Sequence, residues 1–324
     1  MYPPEIIDTL ACLNAHPRDA NIEFDPDPHI YTVNKNPSIK YTSVTTWIHS
    51  HFSQFDADVI IDKMFNSQKW GPGHKYWGMT RAQIKSGWDK NRDAASSAGT
   101  DMHYRIECFH NMVSDTLKNA TYTDFLNYYN CNYGTKKANK HSREWQFFLN
   151  YVEDHPTYKP YRTEWMVYHE ELQISGSIDM IYELEDGSLA IYDWKRAREI
   201  VQTNTYKQFS TTNCIRHLPD TNYWHYTLQL NIYKTILEEK YGKCVKELCL
   251  VVLHPDNANG NYMLYPVPII TKEIKALFKF RKAQVAGGHI APPHHAKVQP
   301  PVPVPDSTEP DEPLEQIDYS TPMF

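Results

Sequence analysis

Apolar and polar positions alternate with a period of two over residues 161–169, 172–184 and 188–195, which predicts three successive strands. Upstream, IEFDPDPHIYTV and IKYTSVTTWI predict a short β region within 22–47. The stretch 52–98 reads as helix with loops, interrupted at GPGHKYWG. That glycine-rich piece lacks the following Lys-Ser/Thr that a phosphate-binding P-loop requires. A helix is predicted to begin after Gly99-Thr100 and run to about 118, and another to span 141–154. Leu228, Ile232 and Ile236 recur at helical spacing and predict an amphipathic helix over 225–241. ELCLVVLH (247–254) and the weaker NYMLYPV (261–267) read as strands, and 271–284 as a last helix. Helices, three strands, a helix and two strands predict an α/β (α+β) fold, a central mixed β-sheet flanked by helices.

From about Val285 the pattern stops. Nine of the 22 prolines lie beyond that point, among scattered acids. Such a segment buries too little apolar surface to offset its ordering entropy, so 285–324 is expected to be a disordered acidic tail, with contact to a partner as one role for it. His289, His294 and His295 sit at its start and read as a solvated linker, with metal binding the lesser alternative. The rest divides into a β/helical region at 1–95 packed on a core at 96–284.

Composition adds little until charge is placed along the chain. At 41% hydrophobic residues a substantial core is available. No apolar run reaches 18 residues and the start, MYPPEIIDTL, lacks a signal-peptide pattern, so no membrane association and an intracellular location (cytoplasm or nucleus) are expected. Six cysteines without a CxxC fit free thiols in a reducing interior, with Cys244 and Cys249 as packing residues. The net charge of −6 argues against nucleic acid until the tail is set aside. Residues 298–324 hold six acids and no Lys or Arg, which accounts for the whole excess and leaves a neutral remainder in which local basic clusters decide.

The hairpin SGSIDMIYELEDGSLAIYDWK, 175–195, carries the chemistry. Its turn fits two loops. A two-residue Asp-Gly loop puts Asp179 and Asp193 on opposite faces. A three-residue loop, Glu185-Asp186-Gly187 with Gly187 left-handed, sets Asp179 opposite Asp193, with Lys195 on the same face. The second register is the expectation with chemical content. Like charges directly opposite destabilise a sheet unless they share a proton or hold a cation. Hard oxygen donors suit Mg²⁺ or Mn²⁺. A salt bridge on a solvated face is the plainer alternative. Ile181, Leu189 and Ile191 share the charged face, and Ile178, Met180, Tyr182, Ala190, Tyr192 and Trp194 line the other, so both faces read as covered.

Gly176-x-x-Asp179 followed by Asp193-Trp194-Lys195 resembles the core of the PD-(D/E)xK nuclease superfamily, nearest to its RecB-like and lambda-exonuclease-like branches. Gln229-Leu-Asn-Ile-Tyr233 is similar to the QxxxY helix of that branch, and Gly99-Thr100-Asp-Met-His103 to its upstream GxxxH-type helix. Asp193 stands where Glu is commoner. The stretch 74–107 is further similar to exonuclease-like proteins of phages and large DNA viruses. The resemblance implies a restriction-endonuclease-like core and a Mg²⁺-dependent DNA exonuclease, with Mn²⁺ able to substitute. It implies that Asp179 and Asp193 bind the metal, with the Trp194 carbonyl as a further ligand, and that Lys195 orients or activates the attacking water. It leaves the oligomeric state open.

His103 and Glu107 share a helical face and could complete the metal shell; an exposed i,i+4 pair is the alternative. Glu164 could reach the site from a neighbouring strand. Gln229 and Tyr233 also share a face, and the resemblance implies contact with DNA phosphate or support of the lysine. For DNA contact the candidates are Arg196 and Arg198 with Lys207, and Lys136 and Lys137 with Lys140 and Arg143, each otherwise a solvated face. Trp47, Trp70 and Trp77 are candidates for stacking on splayed bases, against ordinary core packing.

Overall fold

The computed structural model describes residues 9–111, 120–133 and 142–288. Thr9–Leu13 (α1) precedes an antiparallel ribbon of Ile22–Asp25 (β1) and Ile30–Val33 (β2). Thr42–Ser43 (β3) leads directly into Val44–His49 (α2), followed by Ala57–Phe65 (α3) and the 31-residue Arg81–Asn111 (α4). Tyr122–Tyr133 (α5) and Arg143–Asp154 (α6) come before the strands Lys159–His169 (β4), Ile174–Glu183 (β5) and Leu189–Lys195 (β6). Asn222–Lys240 (α7), Val245–Val252 (β7), Met263–Pro266 (β8) and Thr271–Ala286 (α8) complete the order.

Six strands form one mixed sheet, in which β3/β5 and β6/β7 are parallel and β4/β5, β5/β6 and β7/β8 antiparallel. The predicted mixed sheet flanked by helices is what the chain forms. One face packs on α2, α7 and α8 through Ile181, Leu189, Ile191, Leu250 and Val252. The other packs on α4, α5 and α6 through Met180, Tyr182, Ala190, Tyr192, Trp194 and Val251. Ile178 departs from strict alternation and joins the first face with its cross-strand partner Trp165. The preceding residue of β4, Glu164, has φ 43°, a left-handed conformation that resets the alternation locally.

One edge of β5 is covered by β4 along its length. The opposite edge is shared, with β3 pairing at Ile174–Ser175 and β6 at Met180–Glu183. Gly176–Asp179 therefore lies in a gap between two neighbours on that edge, and the charged residues gather there.

Several expectations change. SVTTWI is not strand beyond Ser43: its hydroxyl accepts from Thr46 N (3.1 Å) as an N-cap, and Val44, Trp47 and Ile48 bury one helical face. Trp47, 2% exposed, is core and not a base-stacking surface. The helix expected after Gly99 begins twenty residues earlier, where Thr80 and Gln83 cap it reciprocally: Gln83 Oε1 accepts from Thr80 N (2.8 Å) and Thr80 Oγ1 from Gln83 N (3.3 Å). Residues 95 and 96 thus fall inside α4, and β3 from the N-terminal stretch adds a strand to the central sheet. Helix α7 is buried nearly all round, not along one stripe. Lys136, Lys137, Lys140 and the tail from His289 on lie outside the described residues.

Candidate active site

The hairpin closes with the three-residue loop. Leu184 N donates to Ser188 O (2.8 Å), Gly187 N to Leu184 O (2.9 Å), and Gly187 takes φ 76°, which a glycine adopts without strain. Pairing runs from Glu183↔Leu189 to Met180↔Tyr192. One further step sets Asp179 opposite Asp193. There the ladder gives way to a side chain: Trp194 N donates to Asp179 Oδ2 (3.0 Å). On the other edge Thr163↔Met180 and Trp165↔Ile178 bracket Glu164, which lies beside Asp179. Three adjacent strands thus bring Glu164, Asp179 and Asp193 into one row.

His103 reaches this row from α4. Its Nε2 lies 2.9 Å from Trp194 O, which fixes the tautomer with Nε2–H donating and turns Nδ1 to the acids. Nδ1 is 3.6 Å from Asp179 Oδ2 and 3.8 Å from Glu164 Oε1. Ser177 Oγ donates to Glu164 Oε2 (3.0 Å) and leaves the other oxygen facing the imidazole. His103, Glu164 and Asp179 each offer a ligand atom within 4.8 Å of the others.

Lys195 is 1% exposed, and its Nζ lies 2.6 Å from Asp193 Oδ2 and 4.6 Å from the centroid of the Tyr226 ring. The ammonium is the partner of this buried oxygen, which has no other donor among the described residues. This is an ion pair, but not on the solvated face of the plainer expectation. Burial pushes the Asp193 carboxyl up to about 7, and the charge of Asp179 adds to the rise. Burial also raises Asp179, with Glu164 adding and His103 and Lys195 opposing. For His103, burial disfavours the imidazolium, but Asp179 and Glu164 outweigh it and the pKa rises. The arrangement is a buried excess of negative charge around an imidazole nitrogen, with one acid oxygen held by the Lys195 ammonium alone. A hard divalent cation fits these donors.

Across the gap, α7 presents Tyr233, which accepts support from a side-chain hydrogen bond with Gln229 one turn earlier. A Cβ at Gly176 would stand 2.5 Å from Tyr233 Oη and 2.9 Å from its Cε1. Gly176 is therefore needed for the ring to pass over β5 toward the acids.

Of the other expected residues, some lie apart and some are already engaged. Glu107 is half-buried near Tyr104 and Cys108, outside the His103 cluster. The Trp194 carbonyl already accepts from His103. Arg196 Nε is 2.8 Å from Glu144 Oε1, so this cation is committed within the protein. Arg198, Lys207 and Arg143 are exposed. Ser177 and Tyr226 were not singled out from sequence, although Ser177 shares the face of Asp179 by alternation and Tyr226 precedes Gln229 by three helical positions.

A family model described as the PD-(D/E)XK nuclease superfamily matches residues 78–297, about two-thirds of the chain. The chain belongs to the PD-(D/E)XK nuclease superfamily. The matched span contains every residue of the cluster, from His103 to Tyr233. No curated protein matches the sequence. Membership makes the protein a nuclease by family and accounts for a buried acidic cluster, since PD-(D/E)XK nucleases use divalent metals. It also points to DNA as the substrate. Among the described residues no helix is long and apolar enough to cross a membrane.

Proposed function

We propose that this PD-(D/E)XK nuclease is a Mg²⁺-dependent DNA exonuclease of the RecB-like or lambda-exonuclease-like branch. Mn²⁺ substitutes, and the enzyme acts within the cell in DNA recombination, repair or replication processing. The observation that carries the reading is the row Glu164–Asp179–Asp193 with the Lys195 ammonium 2.6 Å from its last member. The QxxxY and GxxxH-type elements, both facing this row, support the exonuclease branch and, with it, a phage or large-DNA-virus setting.

Asp179, Asp193, Glu164 and His103 Nδ1 would hold the ion. Bound there, it supplies an acidified water and stabilises charge developing on phosphorus. The protein's own groups do the rest. His103 donates Nε2–H to Trp194 O, which keeps its lone pair directed at the acids. Lys195 places an ammonium beside Asp193, where it orients the attacking water and offsets charge on the phosphoryl oxygens. Tyr233, held by Gln229 over Gly176, lines the approach to the scissile phosphate.

End-labelled linear single- and double-stranded DNA, incubated with Mg²⁺ or with EDTA, tests this. Progressive shortening from an end in Mg²⁺ alone is expected, with none in a folded Lys195→Ala variant. Cleavage of closed circular DNA would replace the exonuclease by an endonuclease. Binding without cleavage in Mg²⁺ and Mn²⁺ would leave a DNA-binding protein of the same fold.

A further inference from the structure

Helix α3, the loop 66–80 and the first turns of α4 form a unit apart from the two layers around the sheet. They have their own small core of Ile61, Met64, Ile84 and Trp88. Between Trp88 and Gly99 no residue of α4 is buried, so this stretch joins the unit to the nuclease body as a helical stem. The loop is fixed by successive turns: His74 N to Gly71 O (2.8 Å), Trp77 N to His74 O (2.8 Å), and Met79 N to Tyr76 O (3.0 Å). Trp88 Nε1 donates to Tyr76 Oη (2.9 Å) and ties it to the stem.

The tip carries an aromatic ladder. The Trp70 ring lies 4.6 Å from Phe65 and 5.6 Å from Trp77, centroid to centroid. Trp77 ends the ladder 47% exposed. Along the sequence that carries it the charge has one sign. Residues 63–79 contain Lys63, Lys69 and Lys75, all exposed, and no Asp or Glu. The acids before this stretch in the sequence, Asp58 and Asp62, are engaged by Arg81 and Lys85.

An exposed flat indole backed by other rings and flanked by lysines matches one kind of ligand. Unpaired nucleobases offer free π-faces, and their phosphates attract the lysines; bases within a duplex are already stacked. We propose that this arm is a stacking platform for unpaired DNA, with Trp77 taking a base and Lys75 and its neighbours following the backbone. The ligand rests on the DNA-nuclease reading; the arm itself owes nothing to the metal cluster. From Arg81 to His103 helix α4 advances about 33 Å, close to one turn of duplex DNA, so the platform would hold a strand well away from the scissile bond.

Anisotropy titrations of the full chain in EDTA, with labelled oligothymidylate and with a blunt duplex, test the proposal. Trp77→Ala is expected to weaken oligothymidylate binding about tenfold and leave duplex binding within about twofold. Trp77→Phe should retain most of the affinity, and Lys75→Ala should lower the salt slope by about one. Unchanged oligothymidylate affinity in Trp77→Ala, equal loss for both ligands, or no oligothymidylate binding by the wild type would overturn it. Reduced self-association with DNA affinity unchanged would also do so, and would mark the ladder as a protein contact. Mg²⁺-dependent cleavage by the wild type is scored separately: binding that depends on Trp77 without any cleavage would keep the platform and remove the nuclease.

Discussion

The two faces of the β5–β6 hairpin both bury polar side chains, and they treat them in opposite ways. On the aromatic face Tyr151 Oη donates to Tyr182 Oη (3.2 Å), Tyr182 meets Tyr122, and Tyr122 Oη lies 2.8 Å from His110 Nε2. His110 Nδ1 lies 2.7 Å from Ile106 O. Burial holds the His110 pKa down to about 3 and raises the tyrosines, so every member is neutral. A single direction of donation, from Tyr151 through Tyr182 and Tyr122 to His110 and the Ile106 carbonyl, satisfies the chain. On the charged face, two carboxyls are raised and a buried ammonium stands 2.6 Å from one of them. The aromatic layer also leaves Trp194 Nε1 without a hydrogen-bond partner, so what separates the two faces is charge: neutral groups linked in a chain on one, ionisable groups gathered in one row on the other.

The sharpest way to break this comparison is Asp193→Asn. We expect metal-dependent cleavage to fall by on the order of 10²–10³-fold or more, while the melting temperature in EDTA changes little, because burial and the Asp179 charge already oppose ionisation of Asp193 and Asp179 remains to balance the Lys195 ammonium. A drop in stability with cleavage retained would reverse the assignment of the two faces.

Acidification acts with opposite signs on the two faces and should come next in size. His110, in the aromatic layer, is held down by burial to about 3. Its contribution is complete above the ordinary histidine pKa and is lost as the pH falls below it, at up to about 1.4 kcal/mol per pH unit. Asp193 is raised, so its folded form takes up a proton between pH 7 and about 4 that the unfolded carboxylate does not, and it gains stability over that window. Urea melts in EDTA at descending pH should show wild type losing stability less steeply than Asp193→Asn.

Gly176→Ala tests the contact between α7 and β5. The added carbon would meet Tyr233 Oη at 2.5 Å, and we expect a loss of about 1–3 kcal/mol with displacement of the ring and reduced cleavage. Thermal melts and single-turnover cleavage check both parts. Smallest is Tyr182→Phe, expected to cost about 1 kcal/mol by leaving the Tyr151 hydroxyl without its acceptor, with cleavage unchanged.

Much of the charged face was legible in the sequence because a strand has a strict period. Asp186-Gly187 suits a two-residue loop as well as a three-residue one, however, and the backbone bonds of Leu184, Gly187 and Ser188 decide the register that sets Asp179 opposite Asp193. What sequence reading missed depends on distant partners. Arg196 reads as a DNA contact until Glu144, 52 positions upstream, takes it. Val44–His49 reads as strand by its β-branched residues until tertiary packing and the Ser43 cap override propensity. The start of α4 was missed for a different reason: the Thr80–Gln83 capping box was visible in the sequence, and the glycine at position 99 drew the boundary instead.

The loop of Glu185, Asp186 and Gly187 also couples chemistry to folding through parity. A single inserted or deleted residue there would exchange the faces of β6, sending Asp193 and Lys195 into the tyrosine layer and Tyr192 and Trp194 into the acidic gap. The acids cannot drift out of alignment without also emptying the hydrophobic layer behind them, so whatever preserves the fold preserves the site.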